Sequence, residues 1–225
     1  IQFLSEQEKK DSGNKWNKKN FVIPNGIYIP EKKRENFSKD AIRATYIGRY
    51  EIYQKGLDIL LDVISNLQKE LREVNFLLNM YGVNQEEAVK ILEKKILKNN
   101  ICDLVKINDA VYAEQKKEIL LNTDIFILTS RFEGMPMGVI EALSYGIPCL
   151  VTKGTNMIDD VKKYNAGWTC DTSCEKIEET FKKMMKERES LAILGCNARN
   201  LSQKYSWKKI AEKSHHELKK ISDNI

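Results

Sequence analysis

Six short apolar runs, each separated from the next by a stretch with helical spacing, constrain the fold of this chain more than any other feature. The runs are Ala44–Ile47, Phe76–Tyr81, Leu104–Ile107, Ile125–Thr129, Pro148–Thr152 and Gly167–Cys170. Being short, continuous and apolar, they read as buried strands. Between them Leu57–Leu71, Gln85–Lys98, Ala113–Asn122, Pro136–Tyr145 and Ile158–Lys163 repeat their apolar residues at helical intervals, and Cys174–Arg188, Ser190–Lys204 and Trp207–Ile221 follow in the same style. Strand and helix in alternation predict an α/β fold: a doubly wound, parallel, six-stranded sheet of Rossmann-like type. In a sheet of order 3-2-1-4-5-6 ligands bind where the winding reverses, at the carboxyl ends of the first and fourth strands. The loops after Ile47 and Thr129 should therefore lie side by side.

The later loop reads Arg131-Phe132-Glu133-Gly134-Met135-Pro136-Met137-Gly138-Val139-Ile140-Glu141-Ala142-Leu143. It places seven residues between two glutamates, across a Gly-Met-Pro turn that opens a helix. Pro136 suits the first helical turn, where its missing N–H costs nothing, and free N–H groups at a helix start make a ready anion site. Glu133 falls at the lip of the turn. Glu141 falls deeper, in the second helical turn, on the face of Gly138 and Tyr145. A carboxylate between Ile140 and Ala142 needs a hydrogen-bonding partner, and Gly138 leaves room for a ligand to supply one. The plainer alternative is a solvated Glu133 and a Glu141 paired with a lysine. The earlier loop, Gly48-Arg49-Tyr50-Glu51-Ile52-Tyr53-Gln54-Lys55-Gly56-Leu57, holds Arg49 and Lys55 between two glycines. Two fixed cations beside a helix N-terminus suit a diphosphate, gripped bidentately by arginine and met by lysine as a point charge. Ordinary surface cations are the alternative.

With its Ser-Arg-Phe-Glu-Gly-Met-Pro lead and Glu-Ala-Leu-Ser-Tyr-Gly-Ile-Pro tail, the glutamate block resembles the signature of retaining glycosyltransferases of the GT-B type, family 4 (glycosyl transferases group 1). The resemblance implies that Glu133 hydrogen-bonds the donor sugar and Glu141 holds the ribose. It also implies that the turn through Gly134, Met135, Pro136 and Met137 turns its N–H groups to the diphosphate. The earlier loop resembles the family's Gly-Arg…Lys-Gly element, so Arg49 and Lys55 would bind that diphosphate and, with Glu133, be the catalytic residues. Phe21–Ile27 resembles the Ile-Pro-Asn-Gly turn that opens the C-terminal domain, although a plain strand and Asn-Gly turn reads equally well. Val111 takes the place of a residue that packs on the nucleobase. There the chain departs from the family pattern, since Asn108-Asp109-Ala110 replaces a glycine-containing turn, and Val111 reads also as core.

The resemblance runs from Phe21 to about Tyr205 and implies one half of a GT-B enzyme. Residues 1–20 would be the tail end of a missing N-terminal acceptor domain, with Phe3-Leu4-Ser5-Glu6 resembling its last strand. Residues 21–205 would be the nucleotide-sugar-binding domain, and 206–225, with Trp207, a helix packing back towards the N-terminal domain. A start at Ile1 without methionine reads as a cut inside a longer protein. The implied reaction is retaining transfer of a hexosyl group from a UDP-, GDP- or ADP-sugar to an acceptor hydroxyl, as in bacterial cell-surface polysaccharide or glycolipid synthesis. No metal or other cofactor is implied, and the fragment alone should be inactive. The implied partners are the nucleotide diphosphate sugar, the missing domain and a membrane-associated acceptor. The alternative is a non-catalytic nucleotide-sugar-binding module served by a separate acceptor-binding partner. A glycoside hydrolase using the two glutamates fits less well: eight residues of helix rise about 12 Å, against roughly 5–9.5 Å between hydrolytic carboxylates. Hydrolysis also leaves Arg49 and Lys55 without a task.

The 37 basic and 32 acidic residues, a net +5, are dispersed. No basic run with interleaved aromatics marks a nucleic-acid partner. No apolar run approaches the roughly 20 residues that span a bilayer, so the expected location is cytoplasmic, including the inner face of the cell membrane. Cys102, Cys149, Cys170, Cys174 and Cys196 are odd in number and lack a Cys-x-x-Cys pair, which reads as reduced thiols. His215 and His216 read as solvated helix residues.

Overall fold

The computed structural model describes residues 1–13, 20–83 and 86–222. Residues 14–19 of the expected N-terminal tail, Gln85 at the expected start of a helix, and residues 223–225 lie outside the described residues. The chain opens with β1 (Gln2–Phe3), α1 (Glu6–Ser12) and β2 (Phe21–Val22), the two strands pairing in parallel. Where a strand was expected at Phe3–Glu6, Ser5 instead caps a helix. Its Oγ accepts from Glu8 N at 3.0 Å, while Glu8 Oε2 accepts from Leu4 N at 2.6 Å. This is close to a capping box of the Ser-x-x-Glu kind, with Glu8 reaching the N–H one residue before the cap, and the Ser-x-x-Glu spacing stood in the sequence.

The main sheet contains β3 (Ile42–Ile47), β4 (Phe76–Gly82), β5 (Val105–Asp109), β6 (Ile125–Leu128), β7 (Cys149–Thr152) and β8 (Gly167–Cys170), all parallel, in the order β5-β4-β3-β6-β7-β8. This is the doubly wound order expected, with the reversal between β3 and β6. Every residue of β6 and β7 is buried, because helices cover both faces of the central strands. The helices are α2 (Leu57–Asn66), α3 (Gln68–Glu73), α4 (Glu86–Lys98), α5 (Ala113–Leu121), α6 (Met137–Ser144), α7 (Ile158–Tyr164), α8 (Cys174–Lys186), α9 (Leu191–Ser202) and α10 (Trp207–Ser222). The expected single helix over 57–71 is broken at Leu67, whose ψ of 14° ends α2. Leu67 and Leu71 are nevertheless both buried, so the apolar period runs through the break and conceals it.

The residues between β2 and β3 are irregular and are anchored to the amino ends of the strands. Asp124, fully buried just before β6, accepts from Arg34 at 2.7 Å, from Arg43 N at 2.9 Å and from Ser38 N at 3.3 Å. Arg34 also reaches the Leu121 carbonyl at 2.7 Å. All five cysteines are free, and burial pushes the Cys149 thiol well above its ordinary range. Among the described residues no helix is long and apolar enough to cross a membrane.

Candidate functional site

The two loops singled out in the sequence meet at the carboxyl ends of β3 and β6, which lie side by side. Gly56 makes the meeting possible. Its φ is +63°, and a Cβ there would overlap the Thr129 carbonyl oxygen, so only glycine lets α2 begin against the end of β6. Thr129 Oγ1 in turn donates to the Gly56 carbonyl at 3.1 Å. Arg131 then binds the loops together. Its N–H donates to Gln54 O at 2.8 Å, its guanidinium to Tyr53 O at 2.7 Å and to both Asp58 oxygens at 2.7 Å, and it lies 4.4 Å over the Tyr53 ring. Burial would raise the Asp58 carboxyl, but the Arg131 bonds outweigh it and hold the group below its ordinary value. From the other side, Asn156 Nδ2 donates to Glu133 O at 2.5 Å. Asn156 does so from a left-handed conformation, φ 59°, which asparagine tolerates.

Within this frame Lys55 and Glu133 form an ion pair of 2.6 Å, and Ser130 Oγ donates to the same Glu133 oxygen at 2.6 Å. Their side chains are only 13% and 8% exposed. Glu133 is thus no solvated loop residue. Glu141, 33% exposed, is the more open of the two, which reverses the expected depth: Lys55 and Ser130 draw Glu133 inward. Glu141 has its partner within the chain, Lys116 of α5, whose ammonium touches its two oxygens at 2.8 and 3.0 Å. Gly138 has a packing role of its own beside it. A Cβ there would lie 3.1 Å from both the Ile47 carbonyl oxygen and the Phe126 ring, so its small size lets α6 start against β3 and β6. The two cations also differ. Lys55 is fixed, whereas the Arg49 side chain is 61% exposed and 3.9 Å from Glu51. Arg49 is held by its backbone, through Tyr46 Oη donating to its carbonyl at 2.5 Å. Burial first, and the Glu133 carboxylate second, push the Tyr46 phenol far above its usual range, so it stays a donor.

Pro136 caps α6 rather than occupying its first turn, and among the described residues no side chain caps that N-terminus. Met135 Sδ accepts from Asn25 N at 3.0 Å. The Ile-Pro-Asn-Gly turn therefore sits between the Gly134–Met137 turn and Trp207, whose ring lies where a Cβ on Gly26 would be. Gly134 is exposed, and α1 approaches it: a Cβ there would be 3.6 Å from Glu8 Oε1. Val111 is buried at the end of β5, in a concavity shared with Tyr50, Tyr81, Asn108 and Asp109. Sequence reasoning missed Lys116, Ser130, Asn156 and the Arg131–Asp58 pair. Each finds its partner through the fold rather than through a local spacing, except Ser130, three residues before Glu133. The assembled rim offers a fixed ammonium, an exposed guanidinium and a helix start for an anion, flanked by carboxylates able to accept from hydroxyls.

The profile of the family described as Glycosyl transferases group 1 matches residues 29–201. The chain is 25% identical over 207 residues to a subunit of the human phosphatidylinositol N-acetylglucosaminyltransferase, covering 89% of this chain and 41% of that protein. It is 29% identical over 185 residues to granule-bound starch synthase 1 of Pisum sativum, covering 74% and 28% respectively. Among solved structures it is similar to sucrose-phosphate synthase from Thermosynechococcus elongatus, with a TM-score of 0.82 at 16% identity over 100% of this chain and 59% of that one. It is also similar to Anabaena HepE solved with UDP and glucose, with a TM-score of 0.80 at 16% identity over 98% and 63%. These structures share the fold. The chain spans less than half the length of the two curated relatives.

Proposed function

We propose, because this chain belongs to the family of glycosyl transferases group 1, that it is the donor-binding part of an enzyme moving a hexosyl group from a nucleotide diphosphate sugar to an acceptor hydroxyl, with retention. The acceptor half would lie in a preceding domain, and a cell-surface polysaccharide or glycolipid is the proposed product. The observation that carries the reading is the 2.6 Å Lys55–Glu133 pair beside the uncapped start of α6. An ammonium has three donors; one serves Glu133 and two are left for the diphosphate. Glu133 receives Lys55 and Ser130 on Oε1, and Oε2 is left for a sugar hydroxyl. Glu141, steadied by Lys116, would accept from the ribose, and Val111 would face the base.

In the reaction the bond between the anomeric carbon and the diphosphate oxygen breaks. The acceptor oxygen bonds the same carbon on the same face, and its proton passes to the departing diphosphate. Arg49, Lys55 and the α6 N–H groups would stabilise the negative charge as it grows, which is where preorganised donors act most strongly. Melting curves with UDP, GDP and ADP test the reading. One of the three should raise the melting temperature at concentrations well above its Kd, by the mass-action rule for a ligand bound only when folded. The chain by itself should bind but not transfer. Absence of binding to all three at millimolar concentration overturns the proposal.

A further inference from the structure

The Asn108-Asp109-Ala110 turn, where this chain departs from the family pattern, has a partner that the proposed chemistry leaves unused. Tyr50 follows Arg49 directly and is buried, its ring stacked on that of Tyr46 with centroids 6.3 Å apart and planes 19° from parallel. Tyr50 Oη donates to the Asn108 carbonyl at 2.7 Å and lies 3.0 Å from the Met80 carbonyl. A phenol has one hydrogen. Asn108 Nδ2 also points to Met80 O, at 3.2 Å, so the shorter bond takes the Tyr50 proton and the amide covers Met80. Gly82 packs against Gly48 and Tyr50, since a Cβ there would overlap the Gly48 carbonyl oxygen and stand 3.0 Å from the Tyr50 ring. On the other side, Tyr46 Oη holds the Arg49 carbonyl at 2.5 Å. The Arg49 carbonyl is thus held by the Tyr46 phenol, while the Tyr50 phenol fastens the next residue to the turn at Asn108, and burial pushes both phenols upward in pKa, keeping them protonated. Arg49, with most of its side chain in solvent, takes its direction from that backbone.

We propose that Tyr50 is a positioning residue that ties the turn at the end of β5 to the Arg49 loop, so that the base and the diphosphate of one nucleotide are recognised cooperatively. This rests on the donor-site reading above. A base seated at Val111 orders the turn at Asn108, and the Tyr50 hydroxyl passes that order to Arg49. By linkage the diphosphate favours the base to the same extent. Without the hydroxyl each loop must be ordered separately.

The test is calorimetric titration of this chain with whichever of UDP, GDP and ADP stabilises it most, with the matching nucleoside, and with inorganic pyrophosphate. Tyr50→Phe should lower nucleoside diphosphate affinity about three- to tenfold, the span of one hydrogen bond, and change nucleoside or pyrophosphate affinity by about twofold at most. In an Arg49→Ala background Tyr50→Phe should cost nothing further. An equal loss in both backgrounds means that Tyr50 only supports the fold and overturns the proposal. Should Tyr50→Phe fail to fold, Tyr46→Phe frees the Arg49 carbonyl at the other end of the same tie and carries the same expectation in both Arg49 backgrounds. A wild-type chain that binds none of the nucleotides overturns the donor reading and the coupling with it; a wild type that binds, with additive losses, overturns the coupling alone.

Discussion

Lys55 shows how the meaning of a residue changes once its neighbour is seen. The sequence offered Arg49 and Lys55 as two fixed cations, yet one is locked at 2.6 Å to Glu133 and the other stands in solvent. Charge-assisted hydrogen bonds contribute about 1.5–3 kcal/mol, so Lys55→Met should weaken nucleoside diphosphate binding roughly ten- to a hundredfold and leave the nucleoside nearly unaffected. Glu133→Gln should weaken the bare diphosphate too, by about three- to tenfold, because the Lys55 ammonium loses its anchor. Titration of both variants with nucleoside and diphosphate decides this. Unchanged diphosphate affinity in Glu133→Gln would mean that the ion pair does not place Lys55. The residues of the two loops were legible because each lies at a strand end, where the topology collects them. Lys116 was not, because nothing within α5 shows that its ammonium meets Glu141, 25 residues further along.

The elements themselves were largely readable, since continuous apolar runs mark buried strands and most helices are amphipathic. Strands were expected near β1 and β2, but their bounds were not, because two residues each carry no period, and the α2–α3 break escaped because burial continues across it. The joint between β3 and α2 is the element-scale weak point. Gly56→Ala combines a left-handed backbone with overlap on the Thr129 carbonyl, and should cost about 2–5 kcal/mol in urea unfolding. Gly13→Ala, at φ +69° and ψ 165° but with open space around it, carries backbone strain alone and should cost about 1–3 kcal/mol. Equal losses at the two positions would remove close approach as the reason for Gly56.

Over the whole molecule the sheet separates binding from anchorage. The candidate site occupies the carboxyl ends of the strands, while Asp124 gathers Arg34, Ser38 and Arg43 at the amino ends. Removing one partner of a buried pair costs about 3–5 kcal/mol, so Asp124→Asn should lower stability by that amount while the folded fraction keeps its nucleotide affinity. Urea unfolding and titration on one preparation measure both; a matching loss of affinity would show that the two ends are not independent. A second anchorage joins parts of the chain far apart in sequence. Ile27 and Ser206 run in parallel, with Ile27 N–H donating to Tyr205 O at 2.8 Å and Trp207 N–H donating to Ile27 O at 3.0 Å. Pulled in opposite directions from residue 20 and residue 222, the two segments slide along each other, and both bonds take the tension at the same instant. The clasp is therefore stiff to stretching and weak to peeling, so an applied force would open it at very different loads according to its direction.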